Sequence, residues 1–133
     1  PCVDRHWLGR RVFCFHPHES AFLARPEELL PIPEDLHSRD ALFLPNMETA
    51  VNFLMDGRPL IGERVVVIGL GIVGLLTTAL LGQFPLTAVI GLDRYPLRRE
   101  TALRFGAHTT FDPQTNDSFE QIRQFTMAKD VNE

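Results

Sequence analysis

The stretch Arg64–Gly74 reads Arg-Val-Val-Val-Ile-Gly-Leu-Gly-Ile-Val-Gly, and the rest of the chain is organised around it. Its four β-branched residues, Val65–Ile68, are typical of a strand buried on both faces, as in a parallel sheet. The strand runs directly into Gly69, Gly71 and Gly74, which have the G-x-G-x-x-G spacing of a dinucleotide-binding turn. There the first glycine permits the tight turn, the second lets the backbone approach a pyrophosphate, and the third lets the next helix lie close to the strand.

A second predicted strand, Ala88–Leu92, ends at an acidic residue. Asp93 lies 19 residues after the third glycine, close to the position from which a carboxylate accepts both ribose hydroxyls of an adenosine. The phosphates would lie on N–H groups at the start of the intervening helix, where the helix dipole also favours negative charge. The candidate cofactor-binding residues are therefore Gly69, Leu70, Gly71, Ile72, Val73, Gly74 and Asp93.

A membrane helix is the competing interpretation of the same stretch. Val65–Gly82 contains 18 residues without a charge, which is near the lower limit of a spanning segment. Three glycines within six residues and a β-branched start disfavour a helix, and no belt of Trp or Tyr flanks the stretch. The dinucleotide interpretation is therefore favoured, and we expect no membrane partner.

Length and composition indicate one soluble globular domain. The chain has 133 residues, is 44% hydrophobic and 23% charged, and carries a net charge of −4. This mildly acidic balance gives no reason to expect nucleic acid as a partner. Cys2 and Cys14 are too few for a disulfide framework and no signal peptide precedes them, so we expect reduced thiols and a cytoplasmic location.

Prolines divide the chain into two parts of different character. Seven of the ten prolines fall before residue 60, so we expect a loop-rich front and a regular α/β rear, as pieces of two different domains. In the front the patterns predict a short strand over Gly9–Phe15, a short helix capped by Ser38, and a helix from Met47 to about Met55.

Strands and helices alternate in the rear. After the glycine turn the patterns predict, in order, the helix Ile72–Leu81, the strand Ala88–Leu92, the helix Pro96–Phe105, the strand Thr109–Asp112 and a helix from Ser118 to about Met127. Together with the first strand this is a β-α-β-α-β-α order, which is half of a doubly wound sheet.

Taken in order, these residues resemble the medium-chain dehydrogenase/reductase superfamily, specifically its zinc-type alcohol dehydrogenase branch. The most specific part is Gly62-Glu63-Arg64-Val65 followed by the glycine turn, and Leu29–Leu36 and Leu103–Ala107 also resemble recurring stretches of the family. The resemblance covers nearly the whole chain. It implies an NAD(P)-dependent oxidoreductase that transfers hydride to or from a small alcohol or carbonyl substrate.

The resemblance also implies that the chain is the middle of a longer enzyme. Residues 1–44 would be the remnant of a GroES-like, β-rich catalytic domain, and residues 45–133 the first half of a Rossmann-type dinucleotide-binding domain. The half that holds the nicotinamide would follow residue 133. We therefore expect the chain to carry the adenosine half of the cofactor site and to be inactive alone, and a homo-oligomer remains open.

Two arginines enter the candidate site through the resemblance. Arg98 matches a position where the family often places a basic residue near the adenosine ribose, and Arg94 would lie beside the adenine pocket. We expect NAD rather than NADP, because a 2′-phosphate would meet the Asp93 carboxylate. A solvated helix face remains the alternative role for this arginine cluster.

Zinc in the longer protein stays an open question, and no zinc is expected in this chain. The family's first zinc ligands would lie upstream, and its third ligand position aligns best with Asn46 and less well with Glu48, neither of which is the usual Cys. Cys14, His16 and His18 have the alternation of metal ligands on one side of a strand, but Pro17 interrupts that strand. The catalytic residues stay unassigned, and a non-catalytic nucleotide-binding or structural fragment is the alternative function.

Overall fold

A computed structural model of the chain describes residues 4–115 and 117–127. The prediction for Cys2 lies outside the described residues, whereas Cys14 is a half-buried free thiol. The chain divides into two compact units, Pro1–Pro45 and Asn46–Glu133, which are described separately.

The first unit is built from short elements. Two-residue strands, β1 (Val12–Phe13) and β2 (Leu30–Pro31), pair antiparallel, and the four-residue helix α1 (Ser38–Ala41) follows. Single 3-10 turns lie at Arg5–Trp7 and Pro26–Glu28. The result is a small antiparallel hairpin within a loop-rich unit.

Arg11 organises the loops of this unit. Its guanidinium donates to the carbonyl oxygens of Pro33, Glu34 and Leu36 at 2.8 to 3.0 Å, and to the Ser38 hydroxyl at 3.2 Å. The two terminal nitrogens of one arginine thereby satisfy three carbonyl oxygens that have no strand partner.

Two local predictions for the front are wrong. The strand predicted over Gly9–Phe15 shortens to the two residues of β1, because only β2 is present to pair with it. The cap of α1 is His37 rather than Ser38, since the His37 Nδ1 accepts the Arg39 N–H at 3.1 Å. A ring nitrogen here does what the Ser hydroxyl was expected to do.

The second unit is a three-layer α/β arrangement. Helix α2 (Leu44–Gly57) leads into it and begins three residues before the predicted start, because a proline is tolerated in the first turn of a helix. Its elements then follow in the order β3 (Arg64–Ile68), α3 (Ile72–Leu81), β4 (Ala88–Leu92), α4 (Pro96–Arg104), β5 (Thr109–Phe111) and α5 (Ser118–Met127). The three strands are parallel in the order β3-β4-β5, and the predicted Rossmann-type architecture is confirmed.

The core of this unit surrounds β4. All five residues of β4 are buried. Three of them, Ala88, Ile90 and Leu92, form one apolar cluster, and a second cluster is formed by Leu70, Ala102 and Ala107. Both faces of β4 are thus buried, and β4 has a neighbouring strand on each side. The burial predicted for both faces of Val65–Ile68 is wrong, because β3 is half-buried at the edge of the described sheet and its Ile68 is 81% exposed.

The membrane interpretation fails on the same elements. The uncharged stretch divides into β3, the glycine turn and the ten-residue α3. Among the described residues, no helix combines the length and the apolar character needed to cross a membrane.

Candidate functional site

The glycine turn connects β3 to α3 at the carboxyl edge of the sheet. Gly69 has a φ of +90°, which L side chains rarely adopt, and its N–H donates to the Leu92 carbonyl oxygen at 2.8 Å. A Cβ atom on Gly74 would lie 1.9 Å from the carbonyl oxygen of Gly69. The absent side chain of Gly74 therefore lets the start of α3 lie directly against the backbone of Gly69.

Gly71 has a different reason to be glycine. It is the N-cap of α3 with φ −70° and ψ −169°, an extended backbone that any residue adopts. A Cβ atom on Gly71 would meet no heavy atom within 4 Å among the described residues. Neither the backbone conformation nor the packing therefore requires glycine at this position. The missing side chain of Gly71 leaves open space at the N-terminus of α3. The first N–H groups of a helix have no intrahelical acceptor, so this space suits an anion.

A buried carboxylate ties this turn to the end of β4. Asp93 is 7% exposed, and its Oδ2 accepts the backbone N–H of Leu70 at 2.9 Å. Its Oδ1 accepts the N–H of Tyr95 at 2.8 Å, and Arg98 Nη1 lies 3.3 Å from Oδ2. The carboxylate thus lies between the glycine turn and the start of α4, and its bond to Leu70 is a contact that sequence reasoning missed.

The hydrogen bonds to Asp93 decide its charge. Burial raises the pKa of Asp93, but the N–H groups of Tyr95 and Leu70 and the Arg98 guanidinium together lower it further. The net result is a pKa below the ordinary value. At neutral pH Asp93 is therefore an ionised group that only accepts hydrogen bonds.

A cavity of about 300 Å³ opens beside Asp93. It lies at the ends of β3 and β4, and its walls include Arg94, Tyr95, Arg98, Pro113 and Gln114. The structure therefore brings Arg94 and Arg98 to one cavity with Asp93, as their predicted role near an adenosine requires.

Tyr95 holds both arginines of this cavity. The Arg94 and Arg98 guanidinium carbons lie 4.6 and 4.7 Å from the centre of its ring, which is cation–π geometry. Sequence reasoning missed Tyr95, although its place two residues after Asp93 puts it beside the acid. It also missed Arg99, which donates to the Asp93 carbonyl oxygen and to Asp112.

The metal interpretation gains no support among residues 4–115 and 117–127. No group of three or more His, Cys, Asp or Glu side chains there could hold a metal ion. His16 stacks on Phe22 with ring centres 4.0 Å apart, and its Nδ1 lies 3.0 Å from the Pro17 carbonyl oxygen. Asn46 and Glu48 lie in the first turns of α2, where Glu48 is exposed.

Together the parallel β-α-β unit, the glycine turn and the acid at the strand end define a Rossmann-type α/β protein. No family model matches the chain. D-xylulose reductase A of Aspergillus oryzae is 28% identical to it over 138 residues, an alignment that covers 98% of this chain and 38% of the reductase. The chain therefore spans well under half the length of that curated relative.

Solved structures lead to the same group of proteins. An alcohol dehydrogenase of Escherichia coli CFT073 in complex with NADH is 25% identical, with a TM-score of 0.68 over 77% of this chain and 31% of the dehydrogenase. A zinc-binding dehydrogenase of Sinorhizobium meliloti 1021 bound to NADP is 28% identical, with a TM-score of 0.65 over 71% and 28% of the two chains. The chain is thus similar, over part of their length, to medium-chain zinc-type alcohol dehydrogenases, and the predicted resemblance is confirmed.

Proposed function

We propose that this chain contributes the adenosine half of an NAD site to an oxidoreductase that interconverts small alcohols and carbonyl compounds. The observation that carries the proposal is the link between the glycine turn and Asp93, in which Leu70 N–H donates to the carboxylate. Relatives whose bound molecules are NADH and NADP support the cofactor class.

The described residues fit a dinucleotide at two places. The open space at Gly71, at the N-terminus of α3, suits a pyrophosphate held by the backbone of residues 69–74. Asp93 Oδ1 accepts the N–H of Tyr95, and because a carboxylate oxygen has two lone pairs it can take a ribose hydroxyl as well. The cavity beside Asp93 then suits the adenine, with Arg94 in its wall.

The part of this chain in the reaction is to bind and orient. A bound nicotinamide cofactor supplies the hydride chemistry. The residues of the turn fix the phosphates, and the ionised Asp93 fixes the ribose, so that the rest of the cofactor is directed along the sheet edge. Zinc belongs, in this proposal, to other parts of the longer protein, and so does the substrate pocket.

Gly71→Val tests the proposal by filling the open space with a branched side chain. We expect the variant to lose binding of ADP-ribose, measured by titration calorimetry, because the methyl groups occupy the place of the pyrophosphate. Its far-UV circular dichroism should stay unchanged, since the added atoms meet open space and the backbone is an ordinary one.

Gly57→Val is the matched control, because a Cβ atom there also meets no heavy atom within 4 Å and Gly57 ends α2, outside the glycine turn. This variant should bind ADP-ribose like the unmodified chain. Undiminished binding by Gly71→Val would contradict the proposed cofactor site.

A further inference from the structure

We infer that Arg99 is a positioning residue, which sets the adenosine cavity by tying Asp93 to the loop after β5. The inference rests on the proposed function, since it names a residue that prepares the same cavity without contacting the ligand. The sequence analysis assigns Arg99 no role in the site, yet only 21% of its side chain is exposed.

One nitrogen of Arg99 joins the ends of two neighbouring strands. Its Nη1 donates to the carbonyl oxygen of Asp93 at 2.7 Å and lies 3.1 Å from Oδ2 of Asp112. Asp93 follows β4 directly and Asp112 follows β5 directly. Because parallel strands end at the same edge of the sheet, one guanidinium reaches both residues.

Asp112 passes this connection to the cavity wall. Its Oδ1 accepts the Gln114 N–H at 3.0 Å, and its carbonyl oxygen accepts the Thr115 hydroxyl at 2.9 Å. These bonds fold the chain back after β5, where Pro113 and Gln114 line the same cavity as Asp93. Arg99 therefore connects two chain segments that line the cavity in which the adenine would lie.

Arg98 and Arg99 divide the work at Asp93. Arg98 pairs with the Asp93 carboxylate itself, and 46% of its side chain is exposed. Arg99 bonds to the Asp93 backbone and not to its carboxylate. The direction in which the Asp93 carboxylate points depends on the backbone that Arg99 holds. Because Arg99 does not bond to the carboxylate oxygens, it takes none of the lone pairs that a ligand would use.

Four variants of the full 133-residue chain test the inference. Arg99→Gln removes the charged link, and Asp112→Asn removes its partner while keeping an oxygen that can accept the Gln114 N–H. The double variant combines the two, and Arg104→Gln is the control, because Arg104 is exposed on the same helix. The affinity for ADP-ribose is measured by calorimetry, and the amide resonances of Leu70 and Tyr95, which bond to the Asp93 carboxylate, are followed by NMR.

We expect each single variant to weaken ADP-ribose binding at least fivefold and to shift the Leu70 and Tyr95 resonances, while Arg104→Gln changes neither. The affinity of the double variant should lie within twofold of that of the single variant that binds less tightly, because both substitutions remove the same Arg99–Asp112 contact. A fifth variant, Arg99→Lys, keeps the charge and one donor group, and should bind ADP-ribose more tightly than Arg99→Gln. If Arg99→Gln fails to fold by circular dichroism, Asp112→Asn carries the test with the same expected loss.

The two ideas fail in different ways. If the unmodified chain binds ADP-ribose and both single variants bind it equally well, Arg99 is not a positioning residue and the proposed function stands. If the unmodified chain binds no ADP-ribose, the proposed function fails and the inference fails with it.

Discussion

At the scale of single residues, Asp93 has both a structural and a proposed ligand-binding role. Its carboxylate receives an N–H from the glycine turn, an N–H from the start of α4 and a guanidinium contact. Removing it would leave the Leu70 N–H buried without its acceptor, at a cost of about 1 to 3 kcal/mol. The residue that would select the ribose therefore also holds the turn that would bind the phosphates.

The choice between NAD and NADP follows from this carboxylate. We expect ADP-ribose to bind at least about tenfold more tightly than its 2′-phosphorylated form, or about 1.4 kcal/mol, because the phosphate would add about two negative charges beside Asp93. Arg98 supports this expectation, since in the structure it pairs with Asp93 and is not left over for a phosphate.

Calorimetric titration of the two ligands decides the preference. Asp93→Gly should narrow or reverse this preference, because it removes the like charge and releases Arg98. The ratio of the two affinities is the proper readout, since a loss of stability affects both ligands alike. Tighter binding of the phosphorylated ligand to the unmodified chain would sink the assignment of Asp93.

The pH dependence of stability should carry the signature of Asp93. Its pKa is lower in the folded chain than the ordinary carboxyl value, so the ionised form is favoured by folding. The stability it contributes is fully present above the unfolded pKa, about 3.9, and is lost as pH falls through the lower folded value. In chemical denaturation without nucleotide, the difference between the unmodified chain and Asp93→Asn should be constant down to about pH 5 and shrink below about pH 4.

Glu120→Gln provides the comparison for that series. Glu120 pairs with Arg123 one helical turn away on the exposed face of α5, and Arg123 also lowers its pKa. Because water screens this pair, the variant should change stability little at any pH. A difference for Asp93→Asn that does not depend on pH would show that its hydrogen bonds, rather than its charge, matter.

How much of the site is predictable differs from residue to residue. Gly69, Gly71 and Asp93 stand at fixed spacings after strands, so their place at one sheet edge can be read from the sequence. Tyr95 and Arg99 act through side-chain contacts whose partners lie up to 13 residues away, and no local pattern marks them. Their ligand roles, like those of all the candidate residues, stay predictions.

At the scale of elements, α3 and β4 have the predicted bounds because their signals are local and strong. An apolar helix between glycines and an apolar strand followed by an acid leave little freedom. α1 differs from the prediction at its cap, where the neighbouring His37 takes the place expected of Ser38. β1 differs because its length depends on a strand partner elsewhere in the chain. The burial of β3 differs for the same reason.

The approach of α3 to the glycine turn gives a prediction about stability. Gly74→Ala would place a Cβ atom against the Gly69 carbonyl oxygen, and backbone cannot yield as a flexible side chain can. We expect the free energy of unfolding in urea to fall by at least about 2 kcal/mol. Gly71→Ala, three residues earlier, should alter it by less than about 1 kcal/mol, and equal losses in both variants would refute this account of the turn.

At the scale of the whole molecule, the apolar character of β3 exceeds what the described residues bury. A cavity of about 580 Å³ runs along β3 between α2 and α3, and side chains such as Phe53, Val67 and Val73 line it. In its wall the Thr77 hydroxyl is buried without a hydrogen-bond partner among the described residues. The apolar sequence of a strand predicts that the strand is buried, but does not identify the residues that cover it.

We expect no alcohol dehydrogenase turnover by this chain alone, with or without added zinc. The described residues hold no cluster of three metal ligands, and the proposed site orients only the adenosine end of a cofactor. Incubation with NAD and simple alcohols, followed by the absorbance of NADH, is the measurement. Steady NADH formation would mean that a catalytic centre lies within these 133 residues and that the site has been misplaced.

Tyr95 is the only tyrosine of the chain, and the guanidinium groups of Arg94 and Arg98 both lie over its ring in the wall of the candidate cavity. The electronic transition of a phenol responds to the electric field around it, and these two charges contribute to that field. A ligand that draws either arginine off the ring should therefore change the near-ultraviolet absorption of this one tyrosine, which is read beside that of Trp7. The molecule carries its own optical reporter at the place where an adenosine would bind, and no label has to be attached to read it.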